Sequence, residues 1–263
     1  MKGGFTMSLI KYEENGKIGT ITLDNDKQRN ALSLELIREL DAKLTEIANE
    51  RKINVVIIQA EGKVFSSGHN LREIDGAPVE DVANLFTECQ ALMEKIRNIP
   101  QVVISKVHAI ATAAGAQLVA ASDLAIASDN SLFATPGTLI GLFCHTPAVF
   151  VSRNLDRKKA AELLFTGDFI TAEEAKIHGL INRVVPLEKL DEETEKFANS
   201  VARHSLAVLE AGKKQLYTQL QISNDFDALT YSSDVMVKNS QKPDAVEGIR
   251  AFLEKRPAQW SDR

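Results

Sequence analysis

Two short stretches hold the residues best suited to chemistry, and in both the useful group is the main chain. The first is Val64-Phe65-Ser66-Ser67-Gly68-His69-Asn70-Leu71, and the second is His108-Ala109-Ile110-Ala111-Thr112-Ala113-Ala114-Gly115-Ala116-Gln117. Each runs from a β-type segment into a turn of tiny side chains, which lets a ligand approach the backbone closely. The second turn opens a helical stretch, whose first N–H groups lack internal partners and carry partial positive charge. Two such groups converging on one point make an oxyanion hole, where losing one donor typically costs about 10²–10³ in rate. Alanine-rich turns also serve close helix–strand packing, so spacing alone leaves both roles open.

The elements around these turns come in a repeating order. Leu9 to Leu23 reads as two β runs joined at Glu14-Asn15-Gly16-Lys17, a hairpin signal. Ser33 fits an N-cap, with Leu36, Ile37, Leu40, Leu44 and Ile47 at helical spacing behind it. Val55 to Ile58 is a short apolar run, as expected of a strand buried on both faces. A helix over Val82–Ile99, a strand over Val102–Ile104, a helix over Ala113–Ala121 and a strand over Leu124–Ala127 repeat the cycle. This alternation predicts βαβ units and a largely parallel sheet, with both turns at the carboxyl ends of strands where ligand crevices form. After about Pro186 the β signal stops. Amphipathic helices over Leu187–Arg203, Ala207–Leu220, Phe226–Ser240 and Ala245–Lys255 need a partner surface, their own core or a second subunit.

Composition sets the limits. The 263 residues suit one large core, the charged fraction is 25%, and the net charge of −5 gives no general attraction to nucleic acid or to an anionic membrane. No apolar run reaches the roughly 20 residues that span a bilayer. Cys89 and Cys144 make no disulfide framework. Met1 to Thr6 shows no signal-peptide pattern, and Met7 offers a second start. The expectation is a soluble, cytoplasmic protein. No residue cluster has metal-ligand spacing, so no metal is expected. His108 reads as packed or hydrogen-bonded, His178 as a helix C-terminus and His204 as a surface residue.

From Leu9 to Trp260 the chain resembles the crotonase, or enoyl-CoA hydratase/isomerase, superfamily. The ordered segments that carry the likeness are Gln28-Arg29-Asn30-Ala31-Leu32-Ser33, Phe65-Ser66-Ser67-Gly68-His69-Asn70-Leu71 and Ala113-Ala114-Gly115-Ala116-Gln117. Phe133-Ala134-Thr135-Pro136, Phe165-Thr166-Gly167, Ala172-Glu173-Glu174-Ala175, Gly179-Leu180 and the tail Glu247 to Arg256 complete them. Within the superfamily the chain is most similar to the enoyl-CoA hydratase domain-containing 3 group.

The likeness implies an α/β, crotonase-like spiral of ββα turns over residues 1–200. It implies a C-terminal α-helical trimerisation region over 201–263, assembled as a homotrimer or a dimer of trimers. It also implies a coenzyme A thioester as substrate or ligand, with no permanently bound cofactor. The two oxyanion donors then fall on the backbone N–H groups of His69 and Ala114. Lys27, Arg29, Ala31, Ser67, Gly68, Asn70, Leu71 and Gly115 fall around the thioester and its carrier, and Phe252 and Lys255 over the adenine from a neighbouring subunit.

The departures concern the side chains. The family's hydratases carry one glutamate on the helix after the second turn and another after the next proline, and here those positions are Gln117 and Gly137. An amide cannot take a proton from water at neutral pH and glycine has no side chain. General acid–base catalysis contributes roughly 10²–10⁴ per group, so hydration of a simple enoyl-CoA should be weak. Cys144 and His145 remain as a nucleophile and an acid or base, although adjacent residues in an extended segment point apart. Gly68-His69-Asn70 is also similar to methylmalonyl-CoA decarboxylase, whose reaction needs an enolate stabilised but no strong base. A nominal enoyl-CoA hydratase-like lyase, a decarboxylase-like enzyme and a non-catalytic acyl-CoA binder all stay open. Gln117→Glu combined with Gly137→Glu is the direct test of the scaffold.

Overall fold

The computed structural model describes residues 8–261; the opening Met1–Thr6 segment and Met7 lie outside them. Strands β1 (Ile10–Asn15) and β2 (Ile18–Leu23) form the expected hairpin, Asn15 facing Ile18, with Gly16 at φ +58° completing the turn. Ser33 caps α1 (Leu34–Glu50), its side chain accepting from the Leu36 N–H at 3.3 Å, and the five apolar residues singled out by spacing are its buried face.

A unit of two strands then repeats along the chain, each pair leading into a helix. β3 (Val55–Ala60) and β4 (Val64–Ser66) precede α2 (Val79–Asn98), and β5 (Val102–Val107) and β6 (Ile110–Thr112) precede α3 (Ala114–Ala121). β7 (Leu124–Ser128) and β8 (Leu132–Ala134) precede α4 (His145–Asn154) and α5 (Arg157–Thr166). The first strand of each pair joins a six-stranded sheet ordered β1-β2-β3-β5-β7-β10, where β10 is Arg183–Val185. The second joins a smaller sheet ordered β4-β6-β8-β9, where β9 is Ile170–Thr171 and leads into α6 (Ala172–Ile177). Successive layers therefore stack as a spiral, parallel throughout except for β1 on β2 and β9 on β8.

The six-stranded sheet is covered on both faces, which explains its continuous apolar runs. One face meets the main core of α1, α2 and α3 residues. The other meets α7 (Leu190–Ala202) through Leu190, Phe197, Ala198 and Ala202 packed on Ile18, Val55, Ile57, Ile104 and Ile126. Beyond it lie α8 (Leu206–Gln219), α9 (Asp225–Ser240) and α10 (Pro243–Leu253), within a residue or two of the expected helices at most ends. α2 begins three residues before its expected start, because Pro78 fixes the extended entry from which the first turn can form.

Candidate functional site

The two turns rich in small residues do meet. Gly68 has φ +88°, a conformation that favours glycine, and a Cβ built on it would sit 2.7 Å from the Ala113 Cβ and 3.1 Å from the Ala114 backbone nitrogen. Gly115 is pressed as closely on the first loop, where a Cβ would lie 2.5 Å from the Ser66 carbonyl oxygen. Ser66 Oγ donates to the Asn30 carbonyl at 2.8 Å, and the buried Asn30 side chain donates to the Glu61 and Val64 carbonyls, fixing the Gln28–Ser33 segment against this loop. Ala113 stands before α3 at φ +50°, ψ −118°, a strained backbone for alanine, held by its N–H donating to the Ala134 carbonyl at 2.9 Å. Among the described residues, neither the His69 N–H nor the Ala114 N–H donates to a backbone carbonyl, and no side chain caps α3.

Both residues line a cavity of about 880 Å³. One wall comes from the Lys27–Ala31 segment and the Ser67–Ile74 loop, with Phe86 from α2 behind it. The other comes from Pro136, Gly137 and the run from Leu139 to Pro147. None of the lining residues is an aspartate or a glutamate. Burial holds the His69 imidazole down to about 4, so it is neutral at pH 7; its ring meets Phe86 edge-on at 4.9 Å, and its Nε2 is buried without a partner. Gln117, only 3% exposed, is one helical turn behind Ala113 and Ala114 on the same face of α3, and its Oε1 also lacks a partner.

The Cys144–His145 pairing is not a dyad. Cys144 is the residue before α4 and His145 is its first, and no hydrogen bond joins their side chains among the described residues. Burial raises the Cys144 thiol, only partly offset by a backbone hydrogen bond with Gly137, so it is not a ready thiolate. His145 is exposed and stacks at 5.0 Å on Phe143. Both nevertheless line the cavity.

Gly137 is occupied territory. A Cβ there would stand 2.0 Å from the Leu142 carbonyl oxygen and 2.8 Å from Cys144 Sγ. The Leu142 N–H donates to the Gly137 carbonyl at 3.0 Å, closing the turn that begins at Pro136. The Gly137→Glu half of the scaffold test therefore cannot be made without moving main chain.

Of the expected carrier-binding residues, Lys27, Arg29, Ala31, Ser67, Asn70 and Leu71 line the cavity, while Gly68 and Gly115 shape it from behind. Phe252, 83% exposed, and Lys255 are not part of this lining; they lie at the end of α10. Arg256 is bound bidentately by Glu247 at 2.6 and 2.9 Å. Arg72 and Phe86 are lining residues that sequence reasoning does not single out. Arg72 comes directly after the first loop and could have been read from it, whereas Phe86 lies in a helix whose pattern gives it no special place. His178 ends α6 and meets Asp156 at 2.9 Å, and His108 bonds the Gly62 carbonyl at 2.9 Å, both in line with expectation.

The far end of α3 is built differently. The Ala121 and Ala120 carbonyls accept from the Arg97 guanidinium at 2.6 and 2.8 Å, and Ala120 accepts also from Asn154 Nδ2. Arg97 stacks over the Tyr217 ring at 4.2 Å. Just beyond, Asp123 pairs with Lys213 of α8 at 2.7 Å and accepts from the Tyr217 hydroxyl and the Val103 N–H. Lys213 Nζ also donates to the Ile96 and Gln101 carbonyls, so this buried cation is fully partnered.

Comparison with known proteins places these features in a wider set. The model of the enoyl-CoA hydratase/isomerase family matches residues 13–263. The chain is 46% identical over 254 residues to the mitochondrial enoyl-CoA hydratase domain-containing protein 3 of Rattus norvegicus, covering 96% of this chain and 84% of that protein. The crystal structure of the human enoyl-CoA hydratase domain-containing protein 3 superposes with a TM-score of 0.93 at 44% identity, covering 96% of this chain and all of that one. An enoyl-CoA hydratase from Mycobacterium smegmatis superposes with a TM-score of 0.92 at 38% identity, covering 96% and 98%. These relatives correct one expectation. The matched domain-containing 3 proteins of rat, frog, human, mouse and zebrafish are all named mitochondrial, which overturns the cytoplasmic assignment. Unpaired cysteines separate oxidising from reducing compartments but not one reducing compartment from another.

Proposed function

The chain belongs to the enoyl-CoA hydratase/isomerase family and has its crotonase fold, and from that premise we propose that it binds an acyl-CoA thioester and holds the thioester oxygen between the N–H groups of His69 and Ala114. The observation that carries this reading is the contact of the two loops: the Ala114 nitrogen lies 3.1 Å from where a Gly68 side chain would begin, one residue from His69. Neither N–H is spent on a backbone carbonyl, and both residues line a cavity large enough for a ligand. Lys27 and Arg29 at its wall suit the phosphates of the carrier, with Arg72 as a third cation.

This hole stabilises an enolate but is not served by a carboxylate. With Gln117 and Gly137 in place of glutamates, a neutral His69 and a protonated Cys144, hydration is slow and binding dominates. A reaction that needs only the enolate, such as loss of carbon dioxide from a malonyl-type thioester, is the alternative chemistry. The apolar residues exposed on α9 and α10, among them Phe226, Met236, Ile249 and Phe252, support a trimer whose neighbour adds Phe252 and Lys255 to the carrier site.

Calorimetric titration with crotonyl-, acetoacetyl- and malonyl-CoA tests the reading: saturable heat with at least one is expected, and none with any would end it. Turnover of the same three thioesters then separates enzyme from binder. Crotonyl-CoA hydration at a rate typical of an efficient enzyme, a kcat near 10³ per second, would refute the claim that no side chain replaces the glutamates.

A further inference from the structure

Much of the lining of the cavity is apolar, and part of that lining reaches the surface. Hydrocarbon comes from two parts of its lining: Leu71, Ile74 and Phe86 from the first loop and α2, and Leu139, Ile140 and Leu142 from the run after Pro136. The second part does not end inside. Leu139 is 68% and Ile140 62% exposed, although both line the cavity, and the exposed Phe165 continues the same surface through its ring contact with Phe143 at 5.9 Å. The cations Lys27, Arg29 and Arg72 come from other parts of the lining than Leu139 and Ile140, the Lys27–Ala31 and Ser67–Ile74 stretches.

From this arrangement, and resting on the thioester reading above, we infer that the ligand is an acyl-CoA of medium or long chain, whose hydrocarbon runs along this apolar lining and leaves across Leu139 and Ile140. A short acyl group would leave these apolar surfaces in water, whereas each methylene laid along them removes apolar area from it. Leu139 and Ile140 are then the residues that set chain length. The turn that presents them is held from beneath: Thr138 Oγ1 donates to the Leu164 carbonyl at 2.9 Å, and Gly167 leaves room for Leu139, whose Cγ would be 3.1 Å from an added Cβ.

The test is a calorimetric series with butyryl-, octanoyl- and dodecanoyl-CoA on the full chain, kept below the micellar concentration of the longest. Affinity is expected to rise by roughly two- to fourfold per methylene between the four- and eight-carbon thioesters and to go on rising to twelve. In Leu139→Ser/Ile140→Ser, the rise beyond eight carbons is expected to flatten. Both positions are exposed, so the fold should survive; dodecanoyl-CoA on the unaltered protein decides the matter if it does not. Equal or falling affinity from four carbons upward overturns the inference while leaving the thioester reading intact. An unflattened slope in the double variant overturns the role of Leu139 and Ile140, and a changed oligomeric state with that slope assigns the lip to contact between copies of the chain. Failure of all three thioesters to bind removes the thioester reading, and this inference with it.

Discussion

The helix α3 is only eight residues long, yet its two ends obey opposite rules. At its carboxyl end the Leu118, Ala120 and Ala121 carbonyls accept from Ser122, Arg97 and Asn154, and the next acid along the chain, Asp123, satisfies a buried lysine, a tyrosine and a strand N–H. At its amino end there is no capping side chain, the preceding alanine is strained, and Gln117 and the facing His69 each leave one ring or amide atom unpaired. Unmade hydrogen bonds in a buried place cost roughly 1–3 kcal/mol each. A molecule that leaves them unmade at one end and makes nearly all of them at the other has placed its stability at the second and, on the proposed reading, its ligand at the first.

The sharpest way to break this contrast is at the saturated end. Asp123→Ala leaves Lys213, whose side chain is 5% exposed, as a buried charge without its acid, and should cost about 3–5 kcal/mol in urea unfolding. Thioester affinity, measured on the fraction still folded, should barely change. The open end shows itself next through pH. His69 has its folded value lowered to about 4 from the ordinary 6.5, so between those values the unfolded chain binds the extra proton. Stability is therefore complete above about pH 6.5 and falls as pH drops toward 4, by an amount on the order of 2 kcal/mol after allowance for partial exposure. His69→Gln should flatten that slope by a comparable amount, and an unchanged slope would count against a buried, neutral ring.

Gly68→Ala forces a Cβ against Ala113 and Ala114 and should weaken acyl-CoA binding at least roughly tenfold, about 1.4 kcal/mol, because the proposed oxyanion hole would lose its shape. An unaffected affinity would detach the loop from the ligand. The smallest effect has the opposite sign. Gln117→Met removes an unpaired buried oxygen at similar volume and should raise stability by up to about 1 kcal/mol. A loss of that size would mean the amide has a structural partner.

Much of the frame was legible because it depends on local rules. The Asn15-Gly16 hairpin and the Ser33 cap with its five buried apolar residues repeat the pattern that spacing alone predicts. The second sheet is implied only by the family resemblance with its ββα turns and not by periodicity, since β4, β6, β8 and β9 are two or three residues long and too short for a period to show. The candidate site divides similarly. Its backbone donors lie in turns whose tiny residues can be seen in the chain, and the missing carboxylates at 117 and 137 are visible as letters. The apolar lip, the contribution of Phe86 and the neutrality of His69 arise from packing between distant segments. Nor does any letter at 142 reveal that its carbonyl closes off the space beside Gly137.

That carbonyl makes positions 117 and 137 unequal as destinations for a carboxylate. From glutamine, glutamate is one nucleotide away and changes an amide for an acid of the same size. At Gly137 the glutamate codon is no harder to reach, but any side chain meets the Leu142 carbonyl oxygen first, so the change gains nothing until the Gly137–Cys144 run has been rebuilt as a piece. Placing a carboxylate at position 137 is thus a task for segment exchange, and a campaign of point mutations would keep stopping at the same doorstep.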